Sequence, residues 1–507
     1  MSGALDELKE AGREIYLLGH AGAVLGWDQE TYMPPAAVEE RSEQLSLLEG
    51  LLHDRLTDSR LKKLFDELGA AEENPAGTAA ESEVDRGYVR KFFRDYTLAT
   101  KLPKKLVVEL ARQSSIGQNR WGEARKQSDF SLFEPVLTKL LELSREKAEL
   151  YGYENHPYDA LIDQYEPGMR TAKVKKVFDD LIPGLKNLLG KIETAEQVEN
   201  GFLHAAYPVE LQRQFSREVL EDIGYDFERG RLDDSAHPFT TTLGADDVRV
   251  TSRYNDSYFP TGIFGVVHEC GHGLYELGFS DEIRGNILAD GASLGIHESQ
   301  SRMWENIIGR SRFFWQRYFT RLGELFPQPL LDTDEEAFFR AINKVEPSFI
   351  RIDADEVTYN LHIALRFGLE LDMISGKLPV RNLPDEWNRR FTDLLGLTPA
   401  DDAEGVLQDI HWSFAAFGYF PTYTLGNLYG AQFFSALERD LPDWAELIRT
   451  GDFSSLLTWM RERLHRHGSV YTSEELCERV TGAALDPRHF IQYLNEKFGS
   501  VYELSGD

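Results

Sequence analysis

The sequence predicts a mainly α-helical protein with one small β element. Apolar residues recur at helical spacing through most of the 507 residues, with long runs at Val38 to Leu52, Leu106 to Lys126, Ser131 to Leu150 and Glu356 to Leu371. Helix breakers fall between such runs. A single stretch follows the other period: Asp247 to Tyr254 alternates apolar and polar side chains and is rich in β-branched residues.

In chain order, Gly69 to Ala80 reads as a helix–helix connection, with Asn74-Pro75 and Gly77 as breakers. Pro167-Gly168 marks a second break. The alternating stretch at Asp247 is a strand, serving either as an edge that holds an extended peptide or as half of a two-stranded structural hairpin. A helix follows. Pro260 suits its first turn, where a missing N–H costs nothing, and Gly278 suits its C-terminal stop. Gly291 to Glu305 reads as another helix, and Gly376 to Pro384, with Pro379, as a further break.

Composition narrows the class. Length alone suggests about three domains. Two cysteines, Cys270 and Cys477, argue against a disulfide framework and fit a reducing compartment. The polar, acidic stretch Met1 to Glu10 lacks the form of a secretory signal, and no apolar run is long enough to cross a bilayer. A cytoplasmic protein is expected. A net charge of −30 argues against nucleic acid and anionic membranes as partners.

The most specific feature is His268-Glu269-Cys270-Gly271-His272, an H-E-x-x-H pentad within the predicted 260–278 helix. Residues four apart share a helix face, so both imidazoles reach one metal ion. Glu269, one step round, lies beside that ion without having to bind it, as a general base for peptide hydrolysis does. Buried polar groups in an otherwise apolar helix need partners, and a metal supplies them. Cys270 sits on another face and reads as a small buried residue.

A catalytic zinc takes three protein ligands and leaves one position open. Downstream, Glu276, Asp281, Glu282, Asp290, Glu298 and Glu305 compete for the third place. Glu276 repeats the four-residue step from His272. Glu298 lies in the second predicted helix, which can fold back on the first. Spacing leaves the choice open.

Six motifs in order then identify a resemblance. His237-Pro238-Phe239 (HPF), Asp247-Val248-Arg249-Val250-Thr251 (DxRxT), His268 to His272 (HExxH), His297-Glu298-Ser299-Gln300 (HES/GQ), Ile350 to Asp355 (IRxxAD) and Gly405 to Trp412 (GxxQDxHW) all match, as does Trp27 to Thr31. The chain resembles the thermostable-carboxypeptidase family of metallopeptidases, family M32, over nearly its whole length. The resemblance implies a saddle-shaped helical fold with a deep groove, similar to gluzincins of the neurolysin and angiotensin-converting-enzyme kind, with residues 1–507 as a single catalytic unit. It implies a homodimer, one divalent ion per subunit (zinc or cobalt), and release of single residues from peptides with a free C-terminus. It selects Glu298 as third metal ligand beside His268 and His272.

Other roles follow from the resemblance and from chemistry together. Glu269 takes a proton from the metal-activated water and passes it to the leaving amine. Arg351 is the first choice for the substrate carboxylate, because a guanidinium binds carboxylate through two parallel hydrogen bonds; Arg249 and Arg253 come next. The alternative for Arg351 is an ion pair with Asp353 or Asp355. His411 and Tyr423 form the expected oxyanion-binding pair, with Tyr419 competing, and His237 holds the substrate backbone. An oligopeptidase cutting internal bonds, or a metal- or peptide-binding protein without catalysis, are the alternative functions; Glu269 speaks against the last.

Overall fold

A computed structural model describes residues 2–504 and is mostly helical with one small sheet. The chain divides into two compact units: Met1–Thr100, Glu199–Ile342 and Phe433–Ala484 form the first, and Lys101–Val198, Asn343–Gln432 and Leu485–Asp507 the second. Among the described residues no helix is long and apolar enough to cross a membrane. The expected breaks at 69–80 and 167–168 lie between helices; that at 376–384 begins in a connection after Ile374 but takes in a 3-10 turn, Val380–Asn382, and the first residues of the helix Leu383–Leu395.

The first unit opens with helix α1 (Ser2–Thr31) and contains strands β1 (Gly230–Asp234), β2 (Thr240–Gly244) and β3 (Asp247–Ser252). The expected strand exists, but neither expected arrangement does. The sheet order is β1-β3-β2, with β1 parallel to β3 from Gly230↔Val248 and β2 antiparallel to it from Thr240↔Val250. β3 is therefore the central strand of three. Its backbone groups are paired on both sides, so it is no edge for an incoming peptide and no half of a two-stranded hairpin.

Helix α2 (Phe259–Glu276) packs against β2 and β3 of this sheet, with Pro260 in its first turn. Phe259, Ile263, Val266, Val267, Cys270 and Leu274 are buried almost completely, so the helix is a core element rather than an amphipathic one. It ends at Glu276, yet Gly278 does not act through a left-handed backbone. A Cβ there would stand 2.6 Å from the Cβ of His465, so this glycine permits close packing. Helix α3 (Leu294–Arg302) follows, started by Ser293, whose side chain accepts from the Ile296 N–H. It passes directly into a π-helical stretch, Met303–Gly309, a geometry that often marks functional segments.

The second unit is built around helix α4 (Tyr359–Ile374), which is buried nearly all round although it carries Asn360, His362, Arg366 and Glu370. Burial of such groups demands partners. Glu370 has three: it accepts from the Tyr158 hydroxyl at 2.6 Å, Trp412 Nε1 at 2.7 Å and the Gly418 N–H at 3.1 Å.

Candidate metal centre

In the first unit the pentad places His268 and His272 on one face of α2, and α3 brings Glu298 to them. Their ligand atoms lie within 4.8 Å of one another, and no other such group of His, Cys, Asp or Glu exists among the described residues. Nε2 of His268 and Nε2 of His272 stand 3.6 and 3.4 Å from the same Glu298 oxygen, Oε2. Two atoms each about 2.1 Å from one ion at a tetrahedral angle stand roughly 3.4 Å apart, so the spacing fits a shared divalent cation.

Close approach of α3 to α2 depends on Gly271. A Cβ at this position would meet the Gln300 carbonyl oxygen and Ser301 Cα at 2.7 Å each, both backbone atoms. Glu298 is held from behind by Arg302 Nε at 2.7 Å and by the Ser301 hydroxyl at 3.1 Å. Burial works against its charge, but Arg302 and His268 prevail and keep the carboxyl well below the usual range.

Glu269 is buried, at 8% exposure. Thr240 of β2 donates to its Oε2 at 2.7 Å and also lies 2.8 Å from its carbonyl oxygen. Burial lifts the Glu269 carboxyl above its ordinary value, against the opposing pull of His268 and of the Thr240 hydroxyl. That is a carboxylate held ready to accept a proton.

The other carboxylates weighed as third ligands take different places. Glu305 accepts from His268 Nδ1 at 2.9 Å and is flanked by Arg302 at 3.3 Å and Arg310 at 3.1 Å. Glu276 accepts from His297 at 2.8 Å. Cys270 is fully buried, as expected. His237 is exposed, on the turn between β1 and β2. Arg249 closes its fork on Asp247, with both contacts at 2.7 Å, and lies 4.3 Å over the Trp27 ring.

A second polar cluster belongs to the other unit. Arg351 is buried and pairs with neither Asp353 nor Asp355; it meets Asp409 Oδ1 through Nε at 2.9 Å and Nη2 at 2.7 Å, and donates to the Tyr359 hydroxyl at 3.0 Å. Arg366 donates to the other Asp409 oxygen at 2.6 Å. His411 Nε2 lies 3.2 Å from the Tyr423 hydroxyl, and Tyr419 packs against both rings, at 5.2 and 5.4 Å between centroids. Burial takes His411 down to about 4, so the ring is neutral at neutral pH. Sequence reasoning missed Thr240, Asp409 and Arg366, and also Thr242 of β2, whose hydroxyl donates to Glu276 at 3.0 Å. Asp409 lay in a quoted motif, whereas the threonines carried no signal at all.

The whole chain has close relatives. A family model described as carboxypeptidase Taq (M32) metallopeptidase matches residues 7–498. The chain is 44% identical to thermostable carboxypeptidase 1 of Thermus thermophilus, over 98% of this chain and 99% of that protein. It is 39% identical to carboxypeptidase 1 of Bacillus subtilis over 97% of each. Among solved structures, an M32 carboxypeptidase from Deinococcus radiodurans R1 superposes with a TM-score of 0.95 at 39% identity, covering 99% of this chain and 100% of that one.

Proposed function

The chain belongs to the M32 family of metallocarboxypeptidases, and from that premise we propose that it removes single residues from the free C-terminus of peptides, with His268, His272 and Glu298 holding one divalent ion, zinc first and cobalt second. The observation that carries this reading is the convergence of the two Nε2 atoms on one Glu298 oxygen. An ion bound there polarises the scissile carbonyl and acidifies water. Glu269 accepts the proton and returns it to the leaving amine, and Thr240 orients the receiving oxygen.

In the second unit, Arg351 is assigned the substrate carboxylate. Three of its five N–H donors are engaged by Asp409 and Tyr359, which fixes the direction of the others. Arg249 is the next candidate, and His237 is assigned the peptide backbone. His411 and Tyr423 are assigned the developing oxyanion, a neutral imidazole and a phenol being suitable donors. Residues 1–507 act as a single catalytic unit in this proposal. Pairing into a homodimer and a cytoplasmic setting complete it; the two free, buried cysteines support a reducing compartment.

The test is paired. Parent protein should cut a peptide into a one-residue ladder read by mass spectrometry, and amidation of the peptide's C-terminus should abolish cutting. Equal cleavage of free and amidated peptides rejects the carboxypeptidase reading in favour of an oligopeptidase. Glu269→Gln should keep the metal and lose about 10²–10⁴-fold in kcat.

A further inference from the structure

We infer that Thr242, Glu276 and His297 form a hydrogen-bond relay that fixes the tautomer and ring plane of His272 and so presents its Nε2 to the metal. The inference rests on the reading of His272 as a ligand. His272 Nδ1 lies 2.6 Å from His297 Nδ1, His297 Nε2 lies 2.8 Å from Glu276 Oε1, and the Thr242 hydroxyl lies 3.0 Å from Glu276 Oε2.

One proton assignment satisfies every link. Nε2 of His272 faces the ligand cluster, so its lone pair must be free and its single N–H sits on Nδ1. That N–H donates to His297, whose Nδ1 must then be bare. The His297 proton is therefore on Nε2 and donates to Glu276. The second Glu276 oxygen accepts from Thr242. Reversing any link leaves two donors or two acceptors face to face.

The relay is built into the fold rather than laid on its surface. The His297 ring packs on Tyr275, centroids 5.3 Å apart. A Cβ on Gly291 would meet its Cδ2 at 2.9 Å, so a glycine clears the space for it. The Glu276 side chain is 9% exposed. Thr240 and Thr242 share one face of β2 and grip Glu269 and Glu276 respectively, so one strand aligns both the proton acceptor and the relay carboxylate. His268 is supported differently, by a carboxylate bound directly to its Nδ1. Such outer partners typically contribute about 10–100-fold to metal affinity.

The experiment titrates metal-stripped full-length protein with Zn²⁺ against a competing chelator and follows the fold of each metal-free variant by circular dichroism. His272→Ala is the control for the underlying reading: if it binds Zn²⁺ like the parent, the ligand assignment itself fails. With that control met, His297→Leu and Glu276→Ala should each weaken binding by about 10–100-fold. The double variant should be no weaker than the worse single, because both cut one path. His297→Gln, which keeps an acceptor and a donor, should recover much of the loss. Kd values within twofold of the parent, or losses that add in the double variant, overturn the relay. Should His297→Leu not fold, Thr242→Val and Glu276→Gln carry the same test, and unchanged affinity in both overturns it.

Discussion

Neutralising Asp409 tests the second cluster most sharply. Its two oxygens serve two arginines: Oδ1 receives Arg351 and Oδ2 receives Arg366. The side chains are 11%, 6% and 0% exposed respectively, so water supplies little compensation. Burial already takes Arg366 down to about 10 with Asp409 in place. Removing one partner of a buried ion pair costs about 3–5 kcal/mol. Asp409→Asn leaves two guanidiniums behind, so the loss belongs at the upper end of that range. It is softened by what each keeps: Arg351 has the Tyr423 ring at 5.0 Å, and Arg366 has the His362 carbonyl at 2.8 Å and the Trp387 ring at 4.7 Å. Urea unfolding followed by tryptophan fluorescence measures the loss, with an unchanged slope required for the comparison. Adding Arg366→Met to Asp409→Asn should restore at least about 1 kcal/mol, because one stranded charge disappears. A loss below about 1 kcal/mol, or no recovery in the double variant, refutes the claim that Asp409 neutralises both arginines.

Three further outcomes follow from the geometry. Thr240→Val keeps the volume but removes the donor to Glu269; a hydrogen bond to a charged group is worth about 1.5–3 kcal/mol, so kcat should fall by roughly tenfold to a hundredfold with metal content unchanged, and a kcat within twofold of the parent contradicts it. Gly271→Ala should cost about 1–3 kcal/mol and weaken metal binding, since the new methyl meets α3 backbone at 2.7 Å and displaces Glu298; thermal melts and Zn²⁺ titration check both. His411 stays neutral in the folded protein down to about 4, whereas the unfolded chain takes up a proton near 6.5; its stabilising contribution is thus full above about pH 6.5 and lost on acidification towards 4, by up to about 3 kcal/mol, and the acid slope of stability should flatten in His411→Asn.

What was legible in the sequence was local. The pentad, Pro260 and the apolar spacing around them define α2 because period and first-turn chemistry act within a few residues. Glu298 could be narrowed to a helix but needed the family motif to be chosen, since its selection depends on how α3 meets α2 at Gly271. β1 and β2 were not legible: Gly-Arg-Leu-Asp-Asp and Thr-Thr-Thr-Leu-Gly lack alternation and hold their place through pairing with β3. The partner of Arg351 was also missed, for a physical reason. Asp355 is occupied by the Val357 and Thr358 N–H groups and the Thr358 hydroxyl at the start of α4. The ion pair is instead made 58 residues away, where no short-range pattern reaches.

Glu276 shows how one periodicity serves two purposes. Its four-residue step from His272 made it a candidate ligand, and the step does place it on the same stripe of α2. It stands eight residues from His268, however, about two turns or roughly 11–12 Å along the axis, and its carboxylate is not among the ligand atoms that converge, which belong to His268, His272 and Glu298. An imidazole spans the gap: His297 contacts His272 at 2.6 Å on one side and Glu276 at 2.8 Å on the other. Glu298 and Glu305 come from a different part of the chain and face no such offset, so one binds within the cluster and the other reaches His268 directly. The helix that carries the pentad therefore cannot complete its own site. It supplies two imidazoles, a base and a remote carboxylate, and α3 must supply both the third ligand and the ring that makes the remote carboxylate useful.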